Sequence, residues 1–80
     1  MIRVLDATPT EDYCVRVRFS NGEVRHIDLR PFLRGAIFEP VQERSEFLKL
    51  EVDPQLGTIV WPNGADICPD VLYRERAVVE

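Results

Sequence analysis

Between Tyr13 and Ser20 apolar and polar side chains alternate without a break, Tyr13, Val15, Val17 and Phe19 against Cys14, Arg16, Arg18 and Ser20. A period of two is the signature of a strand with one buried face. Ser20-Asn21-Gly22-Glu23 follows as a turn, and Val24 to Leu29 returns as the partner strand. Two registers compete for this hairpin. A two-residue Asn-Gly loop pairs Phe19 with Val24, which sets Val17 opposite His26 and Val15 opposite Asp28. A three-residue loop with Gly22 left-handed, forming a bulge, pairs Phe19 with Glu23, Val15 with Ile27 and Tyr13 with Leu29. The second gathers more apolar residues on one face and is the predicted register.

Upstream, residues 2–7 read as a first strand, ended by the turn cluster Thr8-Pro9-Thr10-Glu11-Asp12. After Leu29 the period changes. Arg30-Pro31-Phe32-Leu33-Arg34-Gly35 predicts one helical turn with Pro31 near its start and Gly35 as its stop. Ala36 to Val41 is irregular and apolar, with Ile37, Phe38 and Val41 expected to point inward. Ser45 is the predicted N-cap of a short helix through Leu50, burying Phe47, Leu48 or Leu50. Glu51-Val52-Asp53 leads into the turn Pro54-Gln55-Leu56-Gly57, and Thr58-Ile59-Val60-Trp61 is a β-branched strand ended by Pro62-Asn63-Gly64. Pro69 suits the first turn of a last short helix through Tyr73. The tail from Arg74 to Glu80 reads either as a helix end or, through Ala77-Val78-Val79, as a pairing strand. The prediction is one α+β domain over residues 1–80, a small antiparallel sheet built from an N-terminal meander and a second hairpin, with short helices packed on one side.

Charge and length narrow the function classes. Fourteen acidic residues against ten basic ones give a net charge of −4, which argues against nucleic acid as the main partner. A local positive strip is still expected, because Arg16, Arg18 and Arg25 are read as sharing one sheet face. Eighty residues support only a modest core, so help from another small protein or a second copy is expected, the latter through an exposed sheet edge. Cys14 and Cys68 lack the company of a metal or disulfide framework and read as reduced thiols of a cytoplasmic protein. No apolar run reaches the roughly 18–20 residues of a membrane span, and none near the start has signal-peptide length.

Candidate chemistry is sparse. Asp66 and Asp70, four apart, suit acid–base work or a hard cation, but no oxygen-rich loop accompanies them. The structural reading is preferred: Asp66 bonding backbone amides of its own tight turn, Asp70 in the first turn of the last helix. His26 has no nucleophile or ligand set beside it, and Cys68 has no paired histidine. The chain is therefore not expected to be an enzyme, and no cofactor is expected. Trp61, Asn63 and Tyr73 are either core and turn residues or, with Asp66 and Asp70, an interaction surface. The alternative to a protein-binding surface is a small-molecule or metal site centred on the Trp-Pro-Asn-Gly-Ala-Asp turn.

One block is distinctive. Gly57-Thr58-Ile59-Val60-Trp61-Pro62-Asn63-Gly64-Ala65-Asp66-Ile67, followed by Pro69-Asp70 and Leu72-Tyr73, resembles the hallmark of domain of unknown function 2442, a family of short bacterial proteins. Tyr13-x-Val15-x-Val17-x-Phe19-Ser20-Asn21-Gly22-Glu23 resembles that family's first hairpin, Asp28-Leu29 its end, and Phe38-Glu39-Pro40-Val41 with Phe47 its middle segment. Asn21 stands where the family often has aspartate, a change the turn tolerates. The resemblance implies an α+β fold and no catalytic set. Some relatives carry a C-terminal helix-turn-helix, which this chain is expected to lack. Others are encoded beside a second short protein in a pattern similar to toxin–antitoxin pairs, which implies an antitoxin-like, protein-binding role.

Overall fold

The hairpin register follows the buried face. In the computed structural model, which describes residues 2–74, strands β1 (Val4–Pro9), β2 (Cys14–Phe19) and β3 (Val24–Asp28) form an antiparallel meander. Val15 pairs with Ile27 and Val17 with Arg25, while the Phe19 amide donates to the Glu23 carbonyl at 2.8 Å. Gly22 sits at φ 91°, where a side chain is strained, and its amide closes the turn on the Phe19 carbonyl at 3.0 Å. The three-residue bulged loop is therefore the one formed. β1 lies two residues later than predicted, because Val4 is held opposite Phe19 and Pro9 can still pair with its nitrogen facing away from β2.

The chain then crosses the open face of this sheet. The single turn at Arg30–Phe32 begins beside Pro31 as predicted, and further short 3-10 turns occupy Ala36–Phe38 and Pro40–Gln42. Val41 is buried and Phe38 half-buried, but Ile37 is 49% exposed, a correction to its expected inward position. Helix α1 (Arg44–Phe47) starts one residue before Ser45, with Glu43 at its N-cap and no side-chain cap. Packing sets its position: Phe47 is buried edge-on against Tyr13, centroids 5.0 Å apart, while Leu48 stays exposed.

The second half differs most from expectation. Strands β4 (Glu51–Asp53), β5 (Thr58–Val60) and β6 (Asp66–Ile67) form a separate three-stranded antiparallel sheet. The α+β class, the meander and the second hairpin are all present, but they occupy two sheets rather than one. The Val4 amide, donating to the Gly57 carbonyl at 2.8 Å, joins them at a corner. Helix α2 (Pro69–Arg74) follows, and the rest of the tail, including the Ala77-Val78-Val79 segment, lies outside the described residues.

One apolar core serves both sheets. Val4, Val15, Val17, Phe19 and Ile27 from the first sheet meet Ile59, Trp61 and Ile67 from the second, with Leu29, Leu33, Val41, Phe47 and Leu72 from the connecting elements. Burying each of the larger side chains contributes about 1.5–3 kcal/mol. No helix among the described residues is long and apolar enough to cross a membrane.

Candidate functional site

Both hairpins use the same turn. Trp61-Pro62-Asn63-Gly64-Ala65 repeats the geometry of Phe19-Ser20-Asn21-Gly22-Glu23: the first residue's amide donates to the fifth residue's carbonyl, at 2.9 Å in the second turn. Gly64, at φ 92°, donates to the Trp61 carbonyl at 3.0 Å. In each turn the asparagine Oδ1 accepts from the amide two residues on, Glu23 at 3.0 Å and Ala65 at 3.1 Å. That local amide bond is the role predicted for Asp66, and Asn63 holds it instead. Asp53 performs the equivalent task in the β4–β5 turn, accepting from Gln55 and Leu56. Asp66 stands on β6 opposite Val60 with its side chain exposed, and no backbone amide among the described residues bonds it.

The five predicted surface residues separate by role. Trp61 is 3% exposed, donates through Nε1 to the Phe47 carbonyl at 3.0 Å, and packs edge-on to Phe38 with centroids 5.8 Å apart. It is a core residue, which corrects its placement on an interaction surface. Asn63 is exposed yet occupied at both ends, because its Nδ2 donates to the Ile37 carbonyl at 2.8 Å and fastens the turn to the 36–38 segment. Tyr73 is half-buried on α2. Asp66 and Asp70 remain exposed, the latter in the first turn of α2 as expected. No group of three or more His, Cys, Asp or Glu side chains that could hold a metal ion forms among the described residues.

Tyr73 belongs to a polar latch between the first hairpin and α2. Its hydroxyl donates to Glu23 Oε2 and accepts from Asn21 Nδ2 at 3.0 Å, while its ring packs edge-on to Phe19. Arg25 pairs with Glu23 at 3.0 Å, lies 4.2 Å over the Tyr73 ring, and donates to the Tyr73 carbonyl. The Tyr73 bond, then those of Arg25 and Asn21, hold the Glu23 carboxyl below its ordinary value. Arg25 is therefore on the inner face, opposite Val17, and not in one strip with Arg16 and Arg18. The predicted register already implied this, because cross-strand partners share a face. His26 lies on the outer face, its Nε2 2.7 Å from Thr10 Oγ1, and is a hydrogen-bonded sheet residue. Cys14 is buried on that face, and burial, followed by the Asp28 charge, raises its thiol pKa.

Two acidic side chains outside these networks, Glu51 and Asp66, stand on the second sheet, whereas Asp6, Glu11, Asp12, Glu39, Glu43 and Asp70, equally without an ion-pair partner among the described residues, lie elsewhere. Glu51, Val60 and Asp66 are cross-strand neighbours in one outward row, with both carboxylates exposed and Val60 half-buried between them. Strand spacing puts the two acids roughly 10 Å apart. Beside the row lies an open cavity of about 420 Å³ lined by Glu51, Asp53, Pro54, Val60, Trp61 and Pro62 among others. Glu51 was not legible as part of this row, because β6 is two residues long and carries no periodicity.

The chain belongs to the family described as protein of unknown function (DUF2442), whose model matches residues 4–77. No curated protein and no solved structure matches it.

Proposed function

We propose that this chain is a protein-binding module whose second-sheet face receives a small basic protein, as the antitoxin-like member of a two-protein system would. The observation that carries the reading is the Glu51–Val60–Asp66 row. Glu23, Asp28 and Glu46 are engaged in ion pairs and Asp53 in its turn. Glu51 and Asp66 have no ion-pair partner among the described residues, yet they flank an apolar position beside an open hollow. A lysine or arginine suits such a place, with its apolar stem on Val60 and Pro62 and its charged head at a carboxylate. Asp70, exposed on α2, adds to the same sign of charge. Exposed rim charges of this kind act chiefly on association rate and its dependence on salt.

The test is recovery of partners by the intact protein from its own cells, identified by mass spectrometry, beside the doubly substituted Glu51→Lys/Asp66→Lys protein. The expected result is a small basic protein recovered by the former and lost by the latter, with binding that weakens as ionic strength rises. A wild-type protein that recovers nothing, or a variant that keeps the partner, overturns the reading.

A further inference from the structure

Two observations on the first sheet stand apart from the acidic row. The strand order leaves β1 and β3 as edges. The β1 edge is closed at one end by the Val4–Gly57 bond, and further along Pro9 faces outward with no N–H to offer. β3 is different. Arg25 and Ile27 direct their backbone groups to β2, so Val24, His26 and Asp28 direct their amides and carbonyls away from the sheet. No backbone partner for these outward groups exists among the described residues.

The second observation concerns the arginines. Arg3 holds the Pro54 and Gln55 carbonyls, Arg25 and Arg30 hold Glu23 and Asp28, and Arg44 reaches the Asp12 carbonyl. Arg16 and Arg18, two apart on the outer face of β2, donate to no described residue. They line an open hollow of about 280 Å³ with Thr8, Thr10, Asp6 and Val24, and Val24 is 50% exposed at the free edge. Arg16 stands beside His26 and Arg18 beside Val24. A strand added to β3 would run roughly 10 Å from β2, a gap that an arginine and a glutamate close from opposite sides.

We propose that the β3 edge takes an extended acidic segment of a partner protein as a fourth strand, its alternate carboxylates held by Arg16 and Arg18. The open amides and carbonyls call for a strand, which supplies main-chain bonds, and the two guanidiniums, one pleat apart, call for acidic residues at i and i+2. A phosphate backbone fits less well, because it carries no alternating N–H and C=O groups to pair with the open edge of β3. The exposed Val24 side chain at that edge adds apolar contact that a peptide can use. This edge and the Glu51–Asp66 row lie in different sheets, so a substitution in one leaves the other surface intact.

The test uses the full chain and a fluorescein-labelled peptide of alternating glutamate and threonine, followed by anisotropy. Binding with a Kd below about 1 mM is expected. Arg16→Ser/Arg18→Ser, or glutamine in place of the peptide glutamates, should weaken it at least tenfold. N-methylation of alternate peptide amides, which alters nothing in the protein, should abolish it, and amide exchange at Val24 and His26 should slow in the complex. No binding of the parent peptide, equal binding of the N-methylated one, or undiminished binding by the arginine variant overturns the proposal. So does a thymidine oligonucleotide that binds more tightly than the peptide. A second copy found on β3 by sedimentation, displacing the peptide as protein concentration rises, would overturn it as well.

Discussion

Replacing Trp61 by phenylalanine separates the two roles open to a lone tryptophan in a small domain. As an interface anchor it would be dispensable to the fold. As a core residue it is not, and its surroundings give the magnitude. The substitution removes the indole donor at 3.0 Å while the Phe47 carbonyl keeps the Leu50 amide at 3.2 Å, so the loss is that of one net hydrogen bond, about 0.5–1.5 kcal/mol. The smaller ring leaves a void against Phe38 and Phe47 and adds about 1 kcal/mol on the scale of large-to-small core changes. The sum, about 1.5–2.5 kcal/mol, compares with roughly 4–12 kcal/mol of total stability for a chain of this length. Melting should fall by on the order of 6–20 °C. Urea unfolding followed by far-ultraviolet circular dichroism is the assay, and the midpoint should drop with the slope unchanged. Because Trp61 is the single tryptophan, its emission should also be blue-shifted in the native wild type and move to the red on unfolding. A loss below about 0.5 kcal/mol, the range of ordinary surface substitutions, would refute the core assignment.

Other outcomes follow from the same geometry. Gly64→Ala places a Cβ in open space at φ 92°, so backbone strain alone should destabilise it by about 1–2 kcal/mol in the same urea assay. Gly57→Ala drives a Cβ to 2.7 Å from Arg3 Cζ, and its cost should shrink by about 1 kcal/mol when measured on an Arg3→Ala background. Glu23 has a lowered pKa in the folded protein, so its contribution is present above the ordinary value of 4.5 and is lost as pH falls from there through the folded value. The difference in melting temperature between wild type and Glu23→Gln should therefore narrow below that pH, and a constant difference would contradict the latch. Cys68 is exposed and Cys14 buried with a raised pKa, so a thiol reagent should modify one cysteine rapidly in the native protein and the second only on unfolding.

What the sequence disclosed tracks how local each cause is. The β2–β3 register was legible because four alternating apolar residues must face one core, and only the bulged loop allows it. The fate of Trp61 was partly legible, since Ile59 and Trp61, two apart on the predicted strand, share one face and the apolar Ile59 belongs inside, where the structure buries both. β6 was missed because two residues carry no periodicity, although Trp61-Pro62-Asn63-Gly64 repeats the turn already read at Phe19-Ser20-Asn21-Gly22. Ser45 misled because a good capping residue does not fix a helix start when Phe47 must reach Tyr13. The Glu23–Tyr73 bond was beyond local rules, being a polar contact across fifty residues.

The residues that make this chain recognisable are largely engaged in building it. Trp61 fills the core, Asn63 closes a turn and ties down a neighbouring segment, Gly64 supplies the left-handed position, and Tyr73 latches α2. A partner therefore has to be met by side chains that the fold leaves free. On the two sheets those side chains are biased by sign, Arg16 and Arg18 on the first beside one free acid, Asp6, and Glu51 and Asp66 on the second. That bias on a body of 31 × 29 × 18 Å gives it an electrostatic direction, which orients a charged partner before contact and loses influence beyond a Debye length of about 8 Å at physiological salt. Reversing Arg16 and Arg18 should therefore slow association with an acidic segment, while reversing Glu51 and Asp66 should slow it with a basic protein. The two effects should be separable in one molecule, because no ion pair among the described residues links the two faces.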